Sequence, residues 1–206
     1  MLILTACGNT TENEKNKIKS KENAEHQTYD NDVDDEDAED EILVETDYGK
    51  YNIDAEWYTT KEISSGLEGF GFSHNYSNPG SDLIIPNVVT ISCSVIPEEV
   101  DMSDHEVIKN NIFEHNQRYG SELYFAETVS VEDYDSENHD EVFLFTFTND
   151  QGDVVRREYV MLKGQIQFNV NEDISIYTSS EQEQKEMNED SDRIAKRALE
   201  SFRWID

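Results

Sequence analysis

Histidine, cysteine, arginine and paired carboxylates are the side chains on which metal binding, nucleophilic attack or proton transfer could rest in this chain, and their spacing argues against most of that chemistry. The five histidines are His26, His74, His105, His115 and His139. On a helix, ten residues put His105 and His115 about 15 Å apart along the axis and about 80° apart around it, too far to share one metal. No H-E-x-x-H, C-x-x-C, G-x-S-x-G, P-loop or dinucleotide fingerprint occurs. Carboxylate pairs such as Glu132/Asp133 and Asp135/Glu137 are so abundant that pairing alone says nothing about acid–base catalysis, which needs burial and a raised pKa. Cys93 shares an alternating face with Val89, Ile91 and Val95 and has no activating base nearby in sequence, so it reads as a small core residue. No catalytic residue, metal site or cofactor is expected. Arg156 and His74 remain as ligand-binding candidates. Arg156 and Arg157 point to opposite faces of a strand, where pairing with neighbouring acids is the simplest role and an anionic ligand on Arg156 the alternative. His74 shares an apolar face with Phe72 and Tyr76, where a hydrogen-bonded core role competes with ligand binding.

Net charge narrows the partners. Forty-seven acidic against sixteen basic residues give −31, spread along the whole chain of 206 residues. That field repels phosphate backbones, which excludes nucleic acid, and a polybasic membrane contact is absent. A basic protein partner stays open, against the plainer role of keeping a surface protein soluble. The run Asp30 to Glu41 lacks the spaced ligands and turn glycine of an EF-hand loop and is expected to be solvated.

Met1 to Ala6 is apolar up to small residues, Cys7 follows, and the chain then turns abruptly polar. Leu4-Thr5-Ala6-Cys7 resembles the lipobox of bacterial lipoproteins, which implies that Cys7 is diacylated and becomes the mature N-terminus. The apolar run before the box is shorter than a signal-peptide core, so Met1 is expected to lie inside a longer signal peptide. Gly8 to Asp47 combines low hydrophobicity with high like charge and is expected to be a disordered, charge-extended tether. The resemblance implies a membrane partner through a lipid on Cys7, on the extracytoplasmic face of a Gram-positive-type cell. The alternative is a cytoplasmic protein with an incidental early cysteine.

Residues 48–206 are expected to form one α+β domain of about six to seven mostly antiparallel strands packed with two helices. Tyr51, Ile53, Ala55 and Trp57 alternate as a first strand; Phe70 to Tyr76 and Asn87 to Ile96 give two more. Ser103 and Glu106 form a capping box for a helix over Asp101 to Tyr119, with Gly120 as its C-terminal stop and a strand over Ser121 to Val131. Val142 to Thr148 reads as the central strand of a meander that continues through Val154 to Leu162, a Lys163-Gly164 turn and Gln165 to Val170. Ile174 and Ile176 suggest one more strand. Ser180 and Glu183 cap a last helix to Arg203, with Met187, Ile194, Ala198, Leu199 and Phe202 as its packing stripe. Trp57 after the first strand, the Gly152 turn, the aromatic meander and the closing Ser201-Phe202-Arg203 resemble PsbP-like α/β/α sandwich domains. That resemblance implies an accessory or binding protein without a shared catalytic centre.

Overall fold

Tyr51 and Ile53 are fully buried while Lys50, Asn52 and Asp54 point outward, and this alternation makes β2 (Gly49–Asp54) the middle of a small antiparallel sheet. The structure, a computed structural model, describes residues 41–63, 70–79, 86–96, 98–175 and 180–205. They belong to one compact unit, Glu36–Asp206. β1 (Glu41–Glu45) pairs with β2 on one edge and β10 (Arg203–Trp204) on the other. The fold therefore starts earlier than Tyr48. Glu41 and Glu45 look like tether residues in sequence, yet Val44 is buried and Glu41 bonds Asn52 at 2.9 Å and lies 3.3 Å from Arg197. The remaining tether residues, Cys7 and His26 lie outside the described residues.

The larger sheet is fully antiparallel, in the order β3 (Glu62–Ile63), β4 (Phe70–Ser77), β5 (Val88–Val95), β9 (Ile166–Asp173), β8 (Val154–Lys163), β7 (Phe143–Thr148), β6 (Thr128–Asp133). With the two long helices, this is the expected α+β architecture. The central strand is β9 rather than β7, which is next to the edge. β7 alternates buried phenylalanines with half-buried Leu144, Thr146 and Thr148. The two-residue turn between β8 and β9 is Gly164-Gln165, shifted by one from the expected pair, because Lys163 still pairs with Ile166. Gly164 supplies a φ of +56° that few other residues adopt. Ile174 follows β9 as coil, and Ile176 lies outside the described residues.

Each face of the large sheet has its own core. On one, Tyr76, Ile91, Cys93, Tyr159, Met161 and Phe168 pack against β1, β2, the single turn α1 (Ala55–Tyr58) and the last helix α3 (Glu181–Ser201), which contributes Ile194, Ala195, Ala198 and Leu199. Trp57 lies in α1 rather than in the first strand, and its indole donates to Asp190 at 3.0 Å. On the other face, helix α2 (His105–Tyr124) covers Phe143, Phe145, Phe147 and Val160. It starts at Asp104, whose carboxylate accepts from the Val107 amide, and it runs through Gly120 to Tyr124. Gly120 is thus not a stop. A Cβ there would lie 3.3 Å from Val129, so the glycine allows close approach of helix to sheet. The strand expected over 121–131 is correspondingly a helix end plus β6. Ser180 does cap α3, accepting from the Glu183 amide at 3.2 Å.

Candidate binding surface

Val107, Asn111, His115, Tyr119 and Leu123 recur every four residues along α2; each step drifts by about 40° around a helix, so the ridge they form winds by about 160° from Val107 to Leu123. All five are exposed, with Val107 at 49%, Tyr119 at 37% and Leu123 at 58%. The inner face is held by Ile108, Asn116 and Gly120, and Asn116 donates to Glu158 at 2.9 Å. Tyr119 and Leu123 lie within about 60° of Ile108 around the helix yet stay exposed, so the C-terminal end of α2 carries apolar side chains that the fold leaves uncovered. His115 and Tyr119 bring their rings to 4.8 Å along this ridge.

The ridge ends at Phe125, which is 83% exposed and holds a φ of +57°. A bulky residue in the left-handed region costs about 1 kcal/mol or more, and helix stops usually place glycine there. The Ala126 amide closes the turn onto the Gly120 carbonyl at 3.1 Å. Leu123, Tyr124 and Phe125 then form one wall of a pocket of about 480 Å³, with Val88, Val155 and Ile174 as apolar lining and Asp150 and Asp173 as charged lining. That volume suits a small ligand or an inserted side chain. Asn149, Asp150 and Gln151 also line it, from a turn in which the Asn149 side chain accepts from the amides of Gln151 and Asp153, and Gly152 provides a φ of +89°.

Arg156 lies beneath this corner, 7% exposed. It ion-pairs with Asp173, and its guanidinium carbon sits 4.2 Å from the Tyr124 ring centroid and 5.8 Å from that of Phe147. Burial alone disfavours its charge; Asp173 and Glu158 outweigh that and hold the pKa up. Its Nε is buried without a hydrogen-bond partner, as is Oδ1 of Asn171 on the neighbouring strand. Arg156 thus fastens the tip of α2 to β9.

Arg157 faces the other way, as alternation requires. It bonds Glu172 at 2.7 Å and lies 3.8 Å from Asp192. Glu172 is fully buried, and its other oxygen accepts from the Ser191 hydroxyl at 2.7 Å. Ser191 in turn accepts from Asn87 at 3.0 Å, which links strand, loop and α3. A wider hollow of about 860 Å³ opens beside Arg157 at the start of α3. Its Lys185 and Arg157 are engaged by Glu189 and Glu172, so its lining offers no spare cation.

His74 is buried in the first core. Its Nδ1 lies 2.7 Å from the Tyr51 hydroxyl, which lies 2.7 Å from that of Tyr76. A neutral imidazole accepting at Nδ1 from Tyr51, with Tyr76 donating to Tyr51, gives Nδ1 and both hydroxyls a partner. Burial, then nearby Lys61, lowers the His74 pKa to about 4. An unfolded histidine titrates near 6.5, so between these values the unfolded chain binds the extra proton and stability rises with pH. His74 is therefore expected to contribute its full share above pH 6.5 and to lose up to about 3 kcal/mol as pH falls to 4. Urea unfolding of wild type and His74→Gln at pH 4.5 and 7 checks this; an unchanged pH slope in the variant would refute it.

His105 pairs with Glu141, and His139 contacts the Leu199 carbonyl at 2.8 Å, so the described histidines lie in separate places. Among the described residues, no group of three or more His, Cys, Asp or Glu could hold a metal ion. Cys93 is fully buried and its thiol is pushed up to about 12 by burial, which leaves it little thiolate at neutral pH. No protein-family model matches the chain, and no curated protein matches it significantly. The α2 ridge was hidden in the sequence because Leu123 and Phe125 alternate with Val129 and Val131 as a strand would. Its signal was the four-residue recurrence from Val107 to Leu123.

Proposed function

We propose that the chain is a lipid-anchored surface protein, attached through Cys7, whose folded part binds a partner rather than catalysing a reaction. The observation that carries the binding reading is the exposed apolar cluster Tyr119, Leu123 and Phe125 at the C-terminal end of α2, with the pocket beside it. Exposed apolar side chains clustered at a pocket mark an interaction site. The lipobox-like Leu4-Thr5-Ala6-Cys7 supports the anchor, and the resemblance of the sequence to PsbP-like domains would fit an accessory role. Among the described residues no helix is long and apolar enough to cross a membrane.

The test is expression of the gene with its upstream region in a Gram-positive host fed an azide-bearing fatty acid. Wild type is expected to label and to sediment with membranes, and Cys7→Ala to do neither. Equal behaviour of both would sink the anchor. A second reading, a soluble immunity- or chaperone-like protein that neutralises a basic partner, is favoured by the net charge of −31. It predicts salt-sensitive co-purification with a basic protein from the soluble fraction.

A further inference from the structure

We propose that the exposed C-terminal end of α2, with Tyr119, Leu123 and Phe125, and the pocket beside it dock a protein segment that presents apolar side chains flanked by lysine or arginine. The proposal rests on the binding reading above but not on the anchor. Its electrostatic basis is the C-terminal end of α2. The last turn of that helix carries no basic residue, although the helix dipole puts partial negative charge there. Glu122 lies in the same turn, and Asp150 is part of the pocket lining. The Asp173 carboxylate is neutralised by Arg156, so it adds little attraction of its own and leaves Asp150 as the acidic group of the pocket lining. Arg118 is the ridge's own cation and sits farther back, between Glu114 and Glu122. A cation arriving at the pocket therefore meets the dipole end and Asp150 while its apolar neighbours cover Leu123 and Phe125.

Other occupants fit less well. A second copy would bring a chain of charge −31 against itself, and an anionic lipid surface would be repelled by the same field. Phe125 adds a conformational argument. Its exposed ring is held in a backbone geometry that favours glycine, so the fold bears a cost that burial against a partner would offset.

The experiment measures fluorescence anisotropy of a labelled 16-residue helical peptide, with leucine every fourth residue and lysines beside them, titrated with the full chain. Binding is expected to weaken at least tenfold with Leu123→Ser and with Phe125→Gly, the size typical of a central interface residue. Leu43→Ser, at an equally exposed apolar position on β1, is expected to stay within twofold of wild type. Phe125→Gly keeps the fold because glycine suits the local φ, so a loss of binding there is not a loss of structure. The same peptide with glutamate for lysine is expected not to bind.

The proposal is overturned if the peptide does not bind, if all three variants bind equally, or if the glutamate peptide binds as well. It is also overturned if sedimentation shows a dimer of the full chain that Leu123→Ser abolishes, since the ridge would then join two copies. Cys7 plays no part in this solution assay, so a failed anchor leaves the result standing, and a failed ridge leaves lipidation standing.

Discussion

Arg157→Ala is expected to lower stability by about 3–5 kcal/mol at neutral pH, the usual cost of stripping the partner from a buried charge. Arg157 reaches into the first core and bonds a glutamate with no solvent exposure at all. Burial pushes the Glu172 carboxyl up, and Arg157 and Ser191 pull it back down. Without Arg157 only Ser191 remains, and the folded-state value rises further. A carboxyl raised in the folded state is penalised above that value and unpenalised below the ordinary glutamate range near about 4.3. The deficit of Arg157→Ala is therefore expected to be full at pH 7.5 and to fade as pH falls toward 5. Glu172→Gln in the same background removes the charge and should restore most of the loss at pH 7.5. Urea unfolding of wild type, Arg157→Ala and the double variant at pH 7.5 and pH 5 decides it. A deficit under about 1 kcal/mol, or one that does not change with pH, would show that Glu172 is not held as a buried anion.

Phe202→Ala is the second large effect, expected to cost about 3–5 kcal/mol by removing a fully buried ring. Phe202 ends α3, stacks on Phe168 with centroids 3.8 Å apart, and meets Trp204 edge-on at 4.8 Å. Gly49 explains how the ring fits. A Cβ at position 49 would sit 2.4 Å from Phe202 Cζ and 2.7 Å from the Arg203 carbonyl, so β2 presents its backbone directly to the ring. Truncation leaves a cavity between the two sheets and takes away the prop under β10. Thermal melting should show the lost stability, and hydrogen exchange should show Tyr51 and the Arg203–Trp204 amides opening first. Protection there equal to wild type would mean that β10 is held by its ladder bonds alone.

Alternation and capping made much of the fold legible. β4, β5, β7 and α3 lie close to where the residues put them, because strand period and the Ser180 cap are local signals. What failed was decided by tertiary contact. Gly120 looks like a helix stop until Val129 is seen 3.3 Å from its missing side chain. β1 reads as acidic tether because its value lies in one buried residue, Val44, and in the pairing of Glu41 with Arg197, some 150 positions away. The outward role of Leu123 and Phe125 was invisible for the same reason: Leu123 lies at nearly the azimuth of buried Asn116, and only the fold shows it uncovered. Arg156 and Arg157 fared better, since opposite faces follow from strand geometry, though their acidic partners on β9 required the register.

The position of β2 sets the order in which the molecule can assemble. One neighbour, β1, is made just before it, but the other is β10, and the helix that covers it is α3, both contributed by the last described residues. Closure of that layer must join parts of the chain separated by most of its length, which slows folding compared with a protein built from adjacent hairpins. A nascent chain halted before Phe202 would expose Tyr51 and Ile53 as an unfinished edge, a target for chaperones and proteases until the final strand arrives.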